Sequence, residues 1–216
     1  MKALKATRDQ RLLICAVSIA AAAAYSSWIL GYFLNNRVSI SSIVSDLSVS
    51  SEPFSVVFST ADYIAAILVM AASILGLKYF SSSRRRLWVW SLYGAFGLFT
   101  ALAAFFHIEC SSALVPACHD GSQYYLHVSL GLLANLSLYV AAAMSLLSLP
   151  KNLKQWGWVL LVCWLAAGAI PLIYATAIDS AATAIMQRIS IVIVTIFIIA
   201  VPRITAVKNK SIDNNR

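Results

Sequence analysis

Charge is what this sequence has least of. Asp, Glu, Lys and Arg make up 11% of its 216 residues, less than half the share of an ordinary soluble domain, about 25%. With 61% of positions apolar and a mean hydropathy of +0.81, a separate water-soluble domain is not expected. Histidine and cysteine are also sparse, at three and four. Three histidines fall short of the four that a two-haem carrier needs. No cysteine pair has C-x-x-C spacing, and no H-E-x-x-H is present, which removes the tight zinc signatures. Proline occurs five times. Pro171 lies in an apolar run without a matching break elsewhere, so the paired broken helices of many transporters are missing. There is no internal repeat, and no low-complexity tract beyond runs of alanine.

What is present is apolar length. Six runs stand out, at 11–34, 61–80, 87–106, 124–148, 156–176 and 181–202. Each is near or above the ~20 residues that cross the hydrocarbon at about 1.5 Å per residue. The expectation is an all-α integral membrane protein: one domain over 1–216, with six transmembrane helices in an antiparallel bundle. The first run starts like a signal peptide, but Trp28 to Leu34 carry it past any cleavage point, so a retained helix is expected. The links at 81–86 and 149–155 are short. Those on the other side are longer: 35–60, 107–123 and 177–180. The 35–60 link mixes serine with Val, Ile and Phe, which suits a segment on the membrane surface with a turn near Ile43–Leu47.

The few charges are sorted. The N-terminus, the two short links and the C-terminal tail share one side, with fourteen Lys and Arg against Asp9 and Asp213. The other side has six carboxylates against Arg37 and Arg188. By the positive-inside rule both termini are cytoplasmic, in a cell (plasma or cytoplasmic) membrane. The basic side then meets the anionic leaflet, so the pI of about 9.5 points to membrane lipid as the partner, not to nucleic acid. Most tryptophans and tyrosines near the run ends, Trp28 among them, read as interfacial belt residues.

Cys15 and Cys163 lie in apolar runs and read as packing residues. Cys110 and Cys118 share the 107–123 loop with Pro116 between them, and an oxidising exterior would let them close a disulfide. The competing reading makes them metal thiolates with His119.

The ionisable groups at the outer edge form the candidate site. Asp62 opens the second run, His107 closes the third, and His127 lies one turn into the fourth. Asp179 and Arg188 border the same layer. His127, Gly131, Asn135 and Tyr139 recur every four residues and so share a helix face. Asp62, Ala66, Ser73 and Gly76 on the second helix and Thr100, Ala104 and His107 on the third give similar polar or small faces. Such groups are costly in lipid and usually face a bundle interior or a wet cavity. One reading is a metal or acid/base site of Asp62, His107 and His127, with zinc as the fitting ion and Asp46 or Asp62 as general base. The other is structural: Asp62 caps its helix or pairs with Arg188, and the histidines hold their tips in interfacial water.

The pattern Ser45-Asp46-Leu47, then Pro53-Phe54 and Asp62, resembles a bacterial and archaeal six-helix membrane family known as domain of unknown function nine-nine-eight. Phe106, Cys110 and His127, with small residues behind the histidine, are similar to the second half of its pattern. The resemblance spans about 11–203. It implies a six-helix membrane fold, adds weight to Asp46 and His127, and brings no established activity. A fainter likeness is to alkaline ceramidases and progestin-receptor-like hydrolases, which use a serine, an aspartate and three histidines around zinc. Those have H-x-x-x-H on a late helix, and this chain does not.

The leading expectation is an outward-facing His/Asp cavity that binds, or with a metal hydrolyses, a lipid or envelope component. Its lining is expected to include Asp46, Asp62, His107 and His127. A non-catalytic partner or assembly subunit is the alternative. A haem-binding electron carrier using His107 and His127 is the lesser one.

Overall fold

The computed structural model describes residues 7–35, 39, 43–106, 121–173 and 180–206, with backbone alone at 169–173 and 180. All regular structure among them is helical: α1 (Arg8–Tyr25), α2 (Trp28–Leu34), a 3-10 turn (Val44–Ser48), α3 (Ser55–Phe80), α4 (Arg84–Phe105), α5 (Ser122–Leu146), α6 (Lys151–Ile173) and α7 (Ser180–Ala206). Among the described residues α3, α4, α5 and α7 are long and apolar enough to cross a membrane; α1 with α2 adds a fifth span if the bent pair is one. The protein is an all-α, multi-pass membrane protein.

Two of the six expected spans look different here. The run at 11–34 is not one helix: α1 and α2 meet at a break and bend by 41°. The break falls on Ser26 and Ser27, whose amides reach back only three or four residues to Ala23, Ala24 and Ala22 at 3.0–3.2 Å. Small hydroxyl residues are a common site of such kinks. The run at 156–176 belongs to α6, which starts earlier, at Lys151, and its residues 174–176 lie outside the described residues. A third difference matters for the site. α3 begins at Ser55, not at 61, so Asp62 lies about two turns inside the helix and does not cap it. Phe54, just before it, holds a left-handed φ of 65° that turns the chain into the helix.

α4 packs along both α3 and α5, α1 lies on α3 and α7, and α6 lies on α7 and α5. Small residues set the closeness of α3 and α4. A Cβ added at Gly97 would stand 2.9 Å from the Ala66 carbonyl oxygen, and one at Gly76 would enter the Trp90 indole. The Ser73 hydroxyl donates to the Trp90 carbonyl at 2.6 Å. The small stripe of α3 is thus used in packing against α4. α6 is anchored by Trp164, stacked on Phe197 at 5.7 Å and tilted against Tyr139 at 5.5 Å. Outward, Ile67, Ile74, Leu136 and Val162 are more than half exposed, as side chains facing lipid are.

Candidate functional site

Six helices and the 3-10 turn line a cavity of about 230 Å³. α3, α5 and α7 enter it near their starts, through Asp62, His127 and Gln187; α4 and α1 enter near their ends, through Thr100 and Tyr25. It therefore lies at the end of the bundle away from the basic starts of α1, α4 and α6.

α5 brings His127, Gly131 and Asn135 to the cavity, one helical turn apart. The His127 Nδ1 lies 2.8 Å from the Ala103 carbonyl oxygen and 3.1 Å from that of Phe106. A carbonyl only accepts, so Nδ1 carries a proton and donates. Both acceptors are at the end of α4, where carbonyls lack helical partners. The ring is thereby oriented, and in its neutral form Nε2 keeps a lone pair. Asn135 Nδ2 donates to the Gly131 carbonyl at 2.8 Å, which leaves Oδ1 as an acceptor. A Cβ at Gly131 would meet nothing within 4 Å, so this glycine opens space beneath the histidine.

Across from them, the Asp62 carboxylate lines the cavity without a hydrogen bond or ion pair among the described residues. Arg188 does not pair with it. Its Nε donates to the Tyr32 hydroxyl at 2.7 Å, and its terminal nitrogens donate to the carbonyls of Ala184 and Ser39 at 3.0 and 2.9 Å. The Thr100 hydroxyl donates to the Phe96 carbonyl at 2.8 Å. The Val44 amide donates to Gln187 Oε1 at 2.6 Å, tying the 3-10 turn to α7, and Leu47 of that turn packs where a Cβ on Gly31 would stand 3.0 Å away. The turn thus walls one side of the cavity.

Of the residues singled out from the sequence, Asp62 and His127 line this one cavity. Asp46 is buried on the 3-10 turn; its neighbours Ser45 and Leu47 line the cavity and it does not. His107, His119, Asp179, Cys110 and Cys118 lie outside the described residues. Among the described residues no three His, Cys, Asp or Glu side chains come together to hold a metal ion, and Cys15 and Cys163 are free thiols. Tyr25, Trp28 and Gln187 belong to the lining and were not singled out. Trp28 reads as a belt residue, and Tyr25 gives no periodic signal. Gln187, a polar side chain in an apolar run beside Arg188, was the one available clue.

The lining extends from Tyr25 to Val194, wholly inside the stretch 18–203 that matches the family described as "Protein of unknown function (DUF998)". No curated protein and no solved structure matches the chain. With most of its length matched, this chain belongs to that family.

Proposed function

We propose that this protein binds, in the outward-facing end of a six-span bundle with both termini inside, the polar end of a lipid or other amphiphilic component of the cell envelope. α6 supplies the sixth span, and the cavity opens on the side away from the basic helix starts. The observation that carries the reading is the Asp62 carboxylate, unpartnered among the described residues and sharing a cavity with an oriented imidazole. A polar group held near lipid without a partner is costly unless water or a ligand satisfies it. The walls also carry Trp28, Phe58 and Val194, which suit an amphiphile better than a fully polar solute. The cavity is below the ~300–1,000 Å³ of sites for drug-sized ligands, so it suits a compact polar group with any tail left in lipid.

The test is mass spectrometry of lipids extracted with the purified protein. Wild type should carry a defined amphiphile that Gly131→Phe, which fills the open space, no longer retains. The same lipid profile in both proteins would end the binding reading.

A second reading, metal-assisted hydrolysis at the same place, is favoured by one contact. An imidazole that donates from one nitrogen to a carbonyl presents the other as metal ligands usually do. His127 and His107 would be ligands, with zinc activating water. Asp62 is the better base, because Asp46 lies off the lining. Stoichiometric zinc in elemental analysis, lost in His127→Gln, is the expected result; metal-free protein with an intact lipid load rejects it. In the outer 107–123 loop, Cys110 and Cys118 are proposed to be linked, and non-reducing peptide mapping decides between a bridge and two alkylated thiols.

A further inference from the structure

The cavity's chemistry narrows its ligand. Resting on the reading of this cavity as a binding site, we propose that the bound group is a primary ammonium, with Asp62 as its counter-ion.

Charge comes first. Among the described residues, Asp62 is the one acidic side chain on the lining, and no Lys or Arg is there. The arginine nearest in sequence to the lining, Arg188, is committed elsewhere: its guanidinium sits 5.7 Å from the centre of the Tyr32 ring and donates to Tyr32, Ala184 and Ser39. Among these residues a phosphate or carboxylate would meet a carboxylate and no cation, an arrangement that a low-dielectric site penalises. Helix dipoles do not decide the sign. α3, α5 and α7 begin at this end while α1 and α4 finish there, and each effect fades within a turn.

Hydrogen bonding comes second. His127 Nδ1 and Asn135 Nδ2 already donate to backbone carbonyls. The acceptors they leave over are a lone pair on His127 Nε2 and the Asn135 Oδ1, beside one remaining Asn135 N–H. With the Asp62 oxygens these acceptors reach one cavity from α3 and α5. A primary ammonium has three N–H donors and no acceptor. A quaternary ammonium would leave all three acceptors unmet, and a hydroxyl would satisfy only one as donor.

Third, the aromatic residues Tyr25, Trp28 and Phe58 line the same cavity. Aromatic faces attract a cation and supply apolar cover for the carbon next to it.

The group can come from an aminated lipid head or from a soluble amine, and the experiment separates them. Full-length protein in nanodiscs of phosphatidylglycerol would be titrated with ethylammonium, ethanol, acetate and tetramethylammonium, reading thermal unfolding. Ethylammonium alone should raise the midpoint, with an apparent affinity at least about tenfold weaker in Asp62→Asn. Asp62→Glu should keep the preference for the cation, which covers the case in which the Asn variant folds poorly. Replacing part of the lipid by phosphatidylethanolamine should weaken the ethylammonium response if the lipid head is the ligand, and leave it unchanged if a soluble amine is. Equal responses to ethanol, acetate or tetramethylammonium, or an undiminished response in Asp62→Asn, would overturn the ammonium assignment. If a neutral or anionic probe binds and Gly131→Phe blocks it, only the ammonium assignment fails. If no probe responds to Gly131→Phe and no amphiphile co-purifies, the binding reading fails with it.

Discussion

At the scale of single residues, the membrane core is governed by where lone polar atoms find partners. Pro202 lies inside α7 and has no N–H to give the carbonyl four residues back, that of Ile198. The Tyr93 hydroxyl of α4 donates to that carbonyl at 2.8 Å; both residues are fully buried. Tyr93→Phe should therefore orphan the carbonyl and lower stability by about 1–3 kcal/mol, read as a drop in the thermal midpoint of the purified protein. Pro202→Ala restores a backbone donor, so adding it to Tyr93→Phe should recover most of the loss; a purely additive double mutant would reject this account. None of this was legible in the sequence, because the partner of a tyrosine 105 residues away from its acceptor depends on tertiary packing. Asp62 and His127 were legible for the opposite reason. Ionisable residues in apolar runs are few, and lipid leaves them little choice but the interior.

At the scale of elements, the helices follow from apolar length, while their joints follow from small residues. The tightest joint is α3 on α4. Gly97→Ala would push a Cβ to 2.9 Å from a backbone oxygen of Ala66, and backbone cannot swing aside as a side chain can. Overpacking of this kind typically costs about 1–3 kcal/mol. Gly168→Ala on α6, with nothing within 4 Å of its Cβ, should be neutral or slightly stabilising, since Ala is the better helix former. Equal midpoints for the two variants would contradict the close approach. The sequence showed these helices because long apolar stretches have few other solutions in lipid. It hid the break at Ser26 and Ser27, since the apolar run continues through it and two serines alone do not stop a helix. It also hid the first two turns of α3, where Ser55, Ser59 and Thr60 resemble loop composition. That concealment made Asp62 look like a helix start and its cavity-facing position less evident. The cavity's aromatic lining was hidden for a related reason: Trp28 at the end of an apolar run looks the same whether it faces headgroups or a bundle interior.

At the scale of the whole molecule, the distribution of charge contradicts local helix energetics and is explained by the membrane. α4 begins with Arg84, Arg85 and Arg86, α6 with Lys151 and Lys154, and α1 with Arg8 and Arg11. Cations at helix starts oppose the macrodipole, each by about 0.3–1 kcal/mol at exposed positions. Arg85 recovers part of this by donating to the Ser148 hydroxyl at 2.8 Å, but capping chemistry would have placed acids there. An anionic lipid leaflet on that side would outweigh the penalty, at roughly 1 kcal/mol per basic residue near it. The orientation this implies is open to a direct test. Ser82, between α3 and α4, and Ser50, just after the 3-10 turn on the cavity side, are both exposed. With the four native cysteines replaced, Ser50→Cys should react with a membrane-impermeant maleimide added to intact cells. Ser82→Cys should react only after the membrane is opened. The opposite pattern would turn the bundle over and place the Asp62–His127 cavity in the cytosol. Its ligand would then have to be sought among inner-leaflet or soluble amines, although the ammonium chemistry inferred from its lining would be unchanged.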